Sequence, residues 1–154
     1  MYRQEFNELW DKTATGVMFN ISAKNVRGKA MLNETLKSLV WNHAWGNKKL
    51  VPPERKLLND IAKDDPHKSL KLEKVLSEIS VGNDWGLWGG IILILIGIIT
   101  VAIIPGMWKM PSVLIAVLGL VLSVYSLVKY NINPKKYASR ALDVARDKCN
   151  SILS

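Results

Sequence analysis

A single cysteine, two histidines and two long stretches without a charged side chain mark this chain by what they leave out. One cysteine, Cys149, excludes an internal disulfide and agrees with a reducing compartment. The two histidines, His43 and His67, have ordinary explanations. His43 falls in the apolar arc of its expected helix, which suits a buried, hydrogen-bonded imidazole. His67 follows Asp64-Asp65-Pro66, where helix capping accounts for the residues better than metal binding. No phosphate-cradling Gly-x-x-x-x-Gly-Lys-Ser/Thr loop, Gly-x-Gly-x-x-Gly, Gly-x-Ser-x-Gly or Cys-x-x-Cys is present. The sequence therefore assigns no catalytic residue, no cofactor and no metal ligand, and it does not read as an enzyme. Strand-like alternation is missing too, so the expected fold is all-α. No apolar run precedes Trp85, so the hairpin described next is expected to direct membrane insertion in place of a signal peptide.

What is present is a pair of apolar runs, at about 85–104 and 112–128, separated only by the loop 105–111. Each approaches the roughly 20 residues that an α-helix needs to cross about 30 Å of hydrocarbon. The expectation is a two-span transmembrane helical hairpin over 85–128. An N-terminal helical domain (1–84) would precede it, and a short basic amphipathic helix (129–154) would follow.

Charge sets the expected orientation. The loop carries one basic residue, Lys109. The outer flanks carry Lys68, Lys71 and Lys74 on one side, and Lys129, Lys135, Lys136, Arg140, Arg146 and Lys148 on the other. By the positive-inside rule both termini face the cytoplasm, in an inner or plasma membrane. Trp108 would then sit at the far interface, with Trp85, Trp88 and Tyr130 as near-side aromatic anchors. The formal net charge is +8. Residues 1–84 hold 14 basic against 11 acidic side chains, whereas 129–154 hold six against two. The excess lies beside the membrane, where anionic headgroups attract it. Nucleic acid is not an expected partner, since a basic stripe in the large soluble segment is missing.

The soluble segments read as helices. Residues 2–18 place Phe6, Leu9, Trp10 and Val17 on one face. Residues 30–44 place Leu32, Leu36, Leu39 and Val40 together. Pro52-Pro53 opens a helix to about 63 with Leu57, Leu58 and Ile61 inward. Asp65-Pro66 starts another to about 79, on Leu72, Val75, Leu76 and Ile79. Asp84 is placed to cap the first span. Asn133-Pro134 starts a last helix with Tyr137, Ala141, Val144, Ala145 and Ile152 on one face, expected to pack on protein.

The sharpest pattern lies inside the spans. Ser112, Ala116, Gly119, Ser123 and Ser126 share an arc of about 80° on a helical wheel. Gly86, Gly90, Gly97 and Thr100 form a similar stripe in the first span. Helices in lipid associate where small side chains let backbones approach, so each span has one close-contact face. These faces either meet each other or meet another subunit. Trp41 and Trp45, one turn apart, are core anchors or a docking surface for a partner. The expected function is a small membrane subunit that anchors or assembles a larger complex, with lipid and a second copy or other membrane subunits as partners. The alternative is an oligomerising, membrane-perturbing or pore-forming protein with a regulatory N-terminal domain. The two-span layout resembles that of some phage holins, from which the N-terminal segment departs.

Overall fold

The computed structural model describes residues 2–82, 85–103, 106 and 109–154, with the side chains of Trp85 and Gly86 outside that description. Among the described residues the chain is all-helical, with α1 (Tyr2–Ala23), α2 (Lys29–Leu36), a π-helical segment (Lys37–Trp45), α3 (Pro53–Asp64), α4 (Pro66–Ser77), α5 (Trp85–Ile103), α6 (Lys109–Ile132) and α7 (Pro134–Leu153). Two compact units result. The first joins Met1–Gly82 with Asn133–Ser154, and the second is Asn83–Ile132. The three-part division expected at 84 and 128 becomes two parts, because α7 belongs to the N-terminal bundle.

In the first unit, α1 buries Phe6, Trp10, Thr13, Val17 and Ile21 at helical spacing. Ile21 carries the stripe past the expected end at residue 18, and Leu9 is only half-buried. The one polar member, Thr13, is satisfied by donating its hydroxyl hydrogen to the Leu9 carbonyl at 3.0 Å. Asn25 turns the chain with φ 50°, and α2 begins after Gly28 at φ 87°.

The next helix departs from expectation in its winding. From Lys37 to Trp45 it is a π-helix, and its last bond runs from the Gly46 N–H to the Trp41 carbonyl at 2.7 Å. An i→i+5 helix turns by roughly 80° per residue instead of about 100°. Over nine residues that difference moves side chains to other faces. Val40, Ala44 and Trp45 point into the core, while Leu39 is half-buried and His43 is exposed. Two expectations are thereby corrected, since Leu39 is not a core residue and His43 is not a buried histidine. The rotation delivers Trp45, fully buried, onto Phe6 and Trp10, with ring centroids 5.0 and 6.2 Å away. Gly46 is required just beyond. A Cβ there would lie 2.4 Å from Cε2 of the Trp41 indole.

Pro53 occupies the first turn of α3, where its missing N–H has no intrahelical partner to lose. The Asp65 carboxylate accepts from the His67 and Lys68 N–H groups and caps α4. The two helices run antiparallel. Arg55 of α3 meets Glu73 of α4 at 2.9 Å, and Ser69 Oγ donates to the Leu58 carbonyl at 3.5 Å. α7 packs on α1, α2 and α4. Its buried face is Ala138, Ala141, Leu142, Ala145 and Cys149, a stripe at i, i+3, i+4, i+7 and i+11. The expected face was rotated from this one, for Val144 is exposed and Tyr137 and Ile152 are half-buried. Small alanines let α7 approach α1 closely, and Arg146 pairs with Asp11 at 3.6 Å across that contact.

The second unit is an antiparallel pair, α5 and α6. α6 is longer than the expected 112–128 because Pro111 is tolerated in its first turn. Asp84, expected to cap α5, lies outside the described residues.

Candidate functional site: a small-residue helical hairpin

Gly90, Gly97 and Gly119 fix how α5 meets α6. A Cβ on Gly90 would lie 2.7 Å from the Gly119 carbonyl oxygen and 2.9 Å from the Ser123 nitrogen. One on Gly97 would meet the Ala116 nitrogen and the Ser112 carbonyl oxygen, each at 2.9 Å. One on Gly119 would meet the Gly90 carbonyl oxygen at 2.6 Å. These are backbone atoms, which cannot swing aside as a flexible side chain can. The helices therefore touch backbone to backbone, the close approach that small residues permit.

Six of the nine sequence-nominated packing residues, Gly90, Gly97, Ser112, Ala116, Gly119 and Ser123, come together in one contact within one chain. Thr100 and Ser126 are half-buried at its margin, and the surroundings of Gly86 lie outside the described residues. Of the two arrangements the stripes allowed, this structure shows the one in which they meet each other.

Two of the hydroxyls here bond to carbonyls of their own helices. Ser123 donates to the Gly119 carbonyl at 2.9 Å, and Thr100 donates to the carbonyls of Ile96 and Gly97 at 2.8 and 3.0 Å. No water is needed to complete these bonds, which suits an apolar surrounding.

Large apolar side chains take the opposite position. Ile92, Leu95, Ile98 and Ile99 of α5, and Leu114, Leu118, Leu120, Val121 and Leu127 of α6, are all more than half exposed. A shallow groove floored by Gly97 and Ala116 and walled by Ile94, Val101, Val113 and Leu120 runs along the pair. Among the described residues, α6 is long and apolar enough to cross a membrane. α5 over Leu87–Ile103 is apolar and shorter. Only 17% of the most apolar window of α6 is buried, unlike the core helix of a soluble protein. Comparison with protein-family models, curated proteins and solved structures gives no match.

The nominated aromatics separate. Trp88 is exposed and Tyr130 is buried. The indole of Trp85 and all of Trp108 lie outside the described residues. Trp45 as a docking residue is corrected, for it is sealed in the aromatic core and offers a partner nothing. Trp41 is half-exposed.

Other reactive groups are accounted for structurally. Burial pushes the Cys149 thiol from 9.0 up to about 12, despite the nearby cations in sequence, which makes it a poor nucleophile. Tyr2 donates its phenol hydrogen to the Asp64 carboxylate, and that bond raises the phenol to about 12. Among the described residues no group of three His, Cys, Asp or Glu side chains is arranged to hold a metal. Sequence reasoning missed Arg55. This residue is only 8% exposed, and its guanidinium joins Glu73 to the Trp45 carbonyl at the end of the π-helix. Its position on the buried side of α3, at the same face as Leu58, was the available signal.

Proposed function

We propose that the chain is an integral-membrane anchoring and assembly subunit, held by α5 and α6 as a two-span hairpin. The observation that carries this reading is the inverted packing of the second unit, with small residues inside and branched apolar residues outside. So much exposed apolar surface is rare on a soluble monomer, and hydrocarbon is the solvent that tolerates it. α5 has 19 residues, about 28 Å of helix, close to the hydrocarbon thickness of roughly 30 Å.

Both flanks of the hairpin belong to a single folded unit, and a folded unit cannot straddle a bilayer. This supports placing both ends on one side, and the basic flanks favour the cytoplasm. Trp88 is positioned as an interfacial anchor. The small-residue faces are consumed within the hairpin, so assembly with a second copy or another subunit would use the outer apolar faces or the helical bundle. A water-filled pore is supported less well, because among the described residues the outer faces of both helices lack the polar or ionisable stripe that conduits display.

Topology mapping tests the reading. Reporters fused at residue 154 and inserted near residue 2 are expected to report cytoplasm, and one within 105–111 the opposite side. Opposite locations for the two ends would end the two-span reading. Induction of the protein alone is expected to leave the membrane potential intact, where a lesion former collapses it.

A further inference from the structure

The turn between α1 and α2 forms one wall of a small cavity in the helical bundle, about 260 Å³ in volume. Asn25, with φ 50°, reverses the chain there. The Lys24 N–H donates to the Asn20 carbonyl at 2.9 Å and the Val26 N–H to the Ile21 carbonyl at 3.1 Å, so backbone bonds fix the turn. The other wall comes from α2 and the first turn of the π-helix. The winding that takes Leu39 off the core stripe leaves it half-buried, lining this cavity instead. π-Helical winding recurs at functional sites.

Val26, Met31 and Leu39 give the cavity apolar surface, and Asn20, Lys24, Glu34, Thr35 and Ser38 give it polar groups. Those polar groups are largely unspent. In α1, Thr13, Thr15 and Ser22 each donate to the carbonyl four residues back, the usual resort of a helical hydroxyl. Among the described residues, the Thr35 and Ser38 hydroxyls have no hydrogen-bond partner. Lys24 and Glu34 have no ion-pair partner there either, not even each other. The Asn20 amide donates to the Gly16 carbonyl at 2.9 Å, which leaves its Oδ1 to accept. A simple anion would be drawn to Lys24 and repelled by Glu34, and a simple cation the reverse. A molecule that carries both charges is matched by the two together. The volume falls below the roughly 300–1,000 Å³ of drug-sized ligand sites, which suits a small metabolite.

We propose that this cavity binds a free α-amino acid with an apolar side chain. Lys24 takes the α-carboxylate and Glu34 the α-ammonium. The Thr35 and Ser38 hydroxyls complete the hydrogen bonds of those groups, and the apolar side chain lies on Met31 and Leu39. The site is contained in the first unit, so it does not rest on the membrane-spanning reading of the hairpin.

Isothermal titration calorimetry of the full chain in mild detergent, with L-leucine as the probe, tests this. Saturable binding is expected. Isocaproate, which lacks the ammonium, and leucinamide, which lacks the carboxylate, are each expected to bind about tenfold more weakly, the factor that one charge-assisted hydrogen bond supplies. Glycine, without an apolar side chain, is also expected to bind more weakly. Lys24 and Glu34 are exposed, so their substitution leaves the core intact, as circular dichroism would verify. Glu34→Gln is expected to weaken leucine about tenfold without weakening isocaproate. Lys24→Met is expected to weaken leucine without weakening leucinamide. That crossed pattern cannot arise from a general loss of folding. Absence of saturable leucine binding overturns the proposal, as does glycine binding as tightly as leucine. Variants that bind leucine as the parent chain does, or that lose every probe together, overturn it too.

Discussion

The two units of this chain are both built from helices, yet they sort side chains in opposite ways. The bundle hides Phe6, Trp10, Trp45, Leu58 and Leu72 and shows water its lysines and glutamates. The hairpin hides Gly119, Ser112 and Ser123 and shows its leucines and isoleucines. In water, burial of large apolar side chains is the main force holding helices together, roughly 25 cal/mol for each Å² removed. In lipid that force vanishes, because tails are as apolar as leucine, and close backbone packing takes its place. On the membrane-spanning reading proposed above, one backbone geometry serves two solvents, and the side chain at the contact tells them apart.

The largest effect that would break this comparison is a charge in the bundle core. Val40→Asp is expected to destabilise the bundle by several kcal/mol, since a buried unpaired carboxylate is poorly solvated. Leu39→Asp, one residue away but half-exposed, is expected to cost about 1 kcal/mol or less. Chemical denaturation followed by circular dichroism separates the two. Equal losses would mean the segment winds as an ordinary α-helix, with residue 39 facing the core as the sequence alone suggests.

Intermediate effects belong to the hairpin. Gly119→Leu and Gly90→Leu place a side chain against backbone, so the arms must separate, at about 1–3 kcal/mol or more for an overpacked contact. Leu118→Ile, on the exposed side, is expected to change stability by less than about 1 kcal/mol. Cross-linking between cysteines placed on facing positions of the two arms in mild detergent reads the separation directly. Equal tolerance at all three positions would show that glycine abundance had been mistaken for an interface.

The smallest effect is alkaline. The folded Cys149 thiol is raised from 9.0 to about 12, so the folded state keeps its proton where the unfolded chain loses it. That contribution is fully present below pH 9, declines through the interval and is gone above about 12. Tyr2, raised from 10.0 to about 12, acts with the same sign. Cys149→Ala is expected to flatten part of the stability loss above pH 9, and Tyr2→Phe a further part. A thiol reagent should modify Cys149 only at the rate of unfolding. Rapid labelling of the native protein would contradict its burial.

How much of this was legible beforehand depended on the range of the cause. Helix starts at Pro53, Asp65-Pro66 and Asn133-Pro134 were readable, because capping groups and fixed φ angles act within one turn. The stripes of Gly90 and Gly119 were readable as faces, because spacing on one helix fixes the arc. Which face each stripe would meet was not, since either answer satisfies the spacing. The same limit hid the partner of Arg55.

The sequence by itself determined that the chain is helical, where most helices begin, and that two adjacent runs are too apolar to need water. Those properties follow from local backbone preference and from side-chain polarity, which each residue carries with it. Tertiary structure alone decided the rest. It wound residues 37–45 as a π-helix so that Trp45 could reach Phe6 and Trp10, turning His43 outward. It drew α7 into the bundle through a stripe of alanines and Cys149. Contacts between distant segments depend on complementary shapes that form only once both surfaces exist.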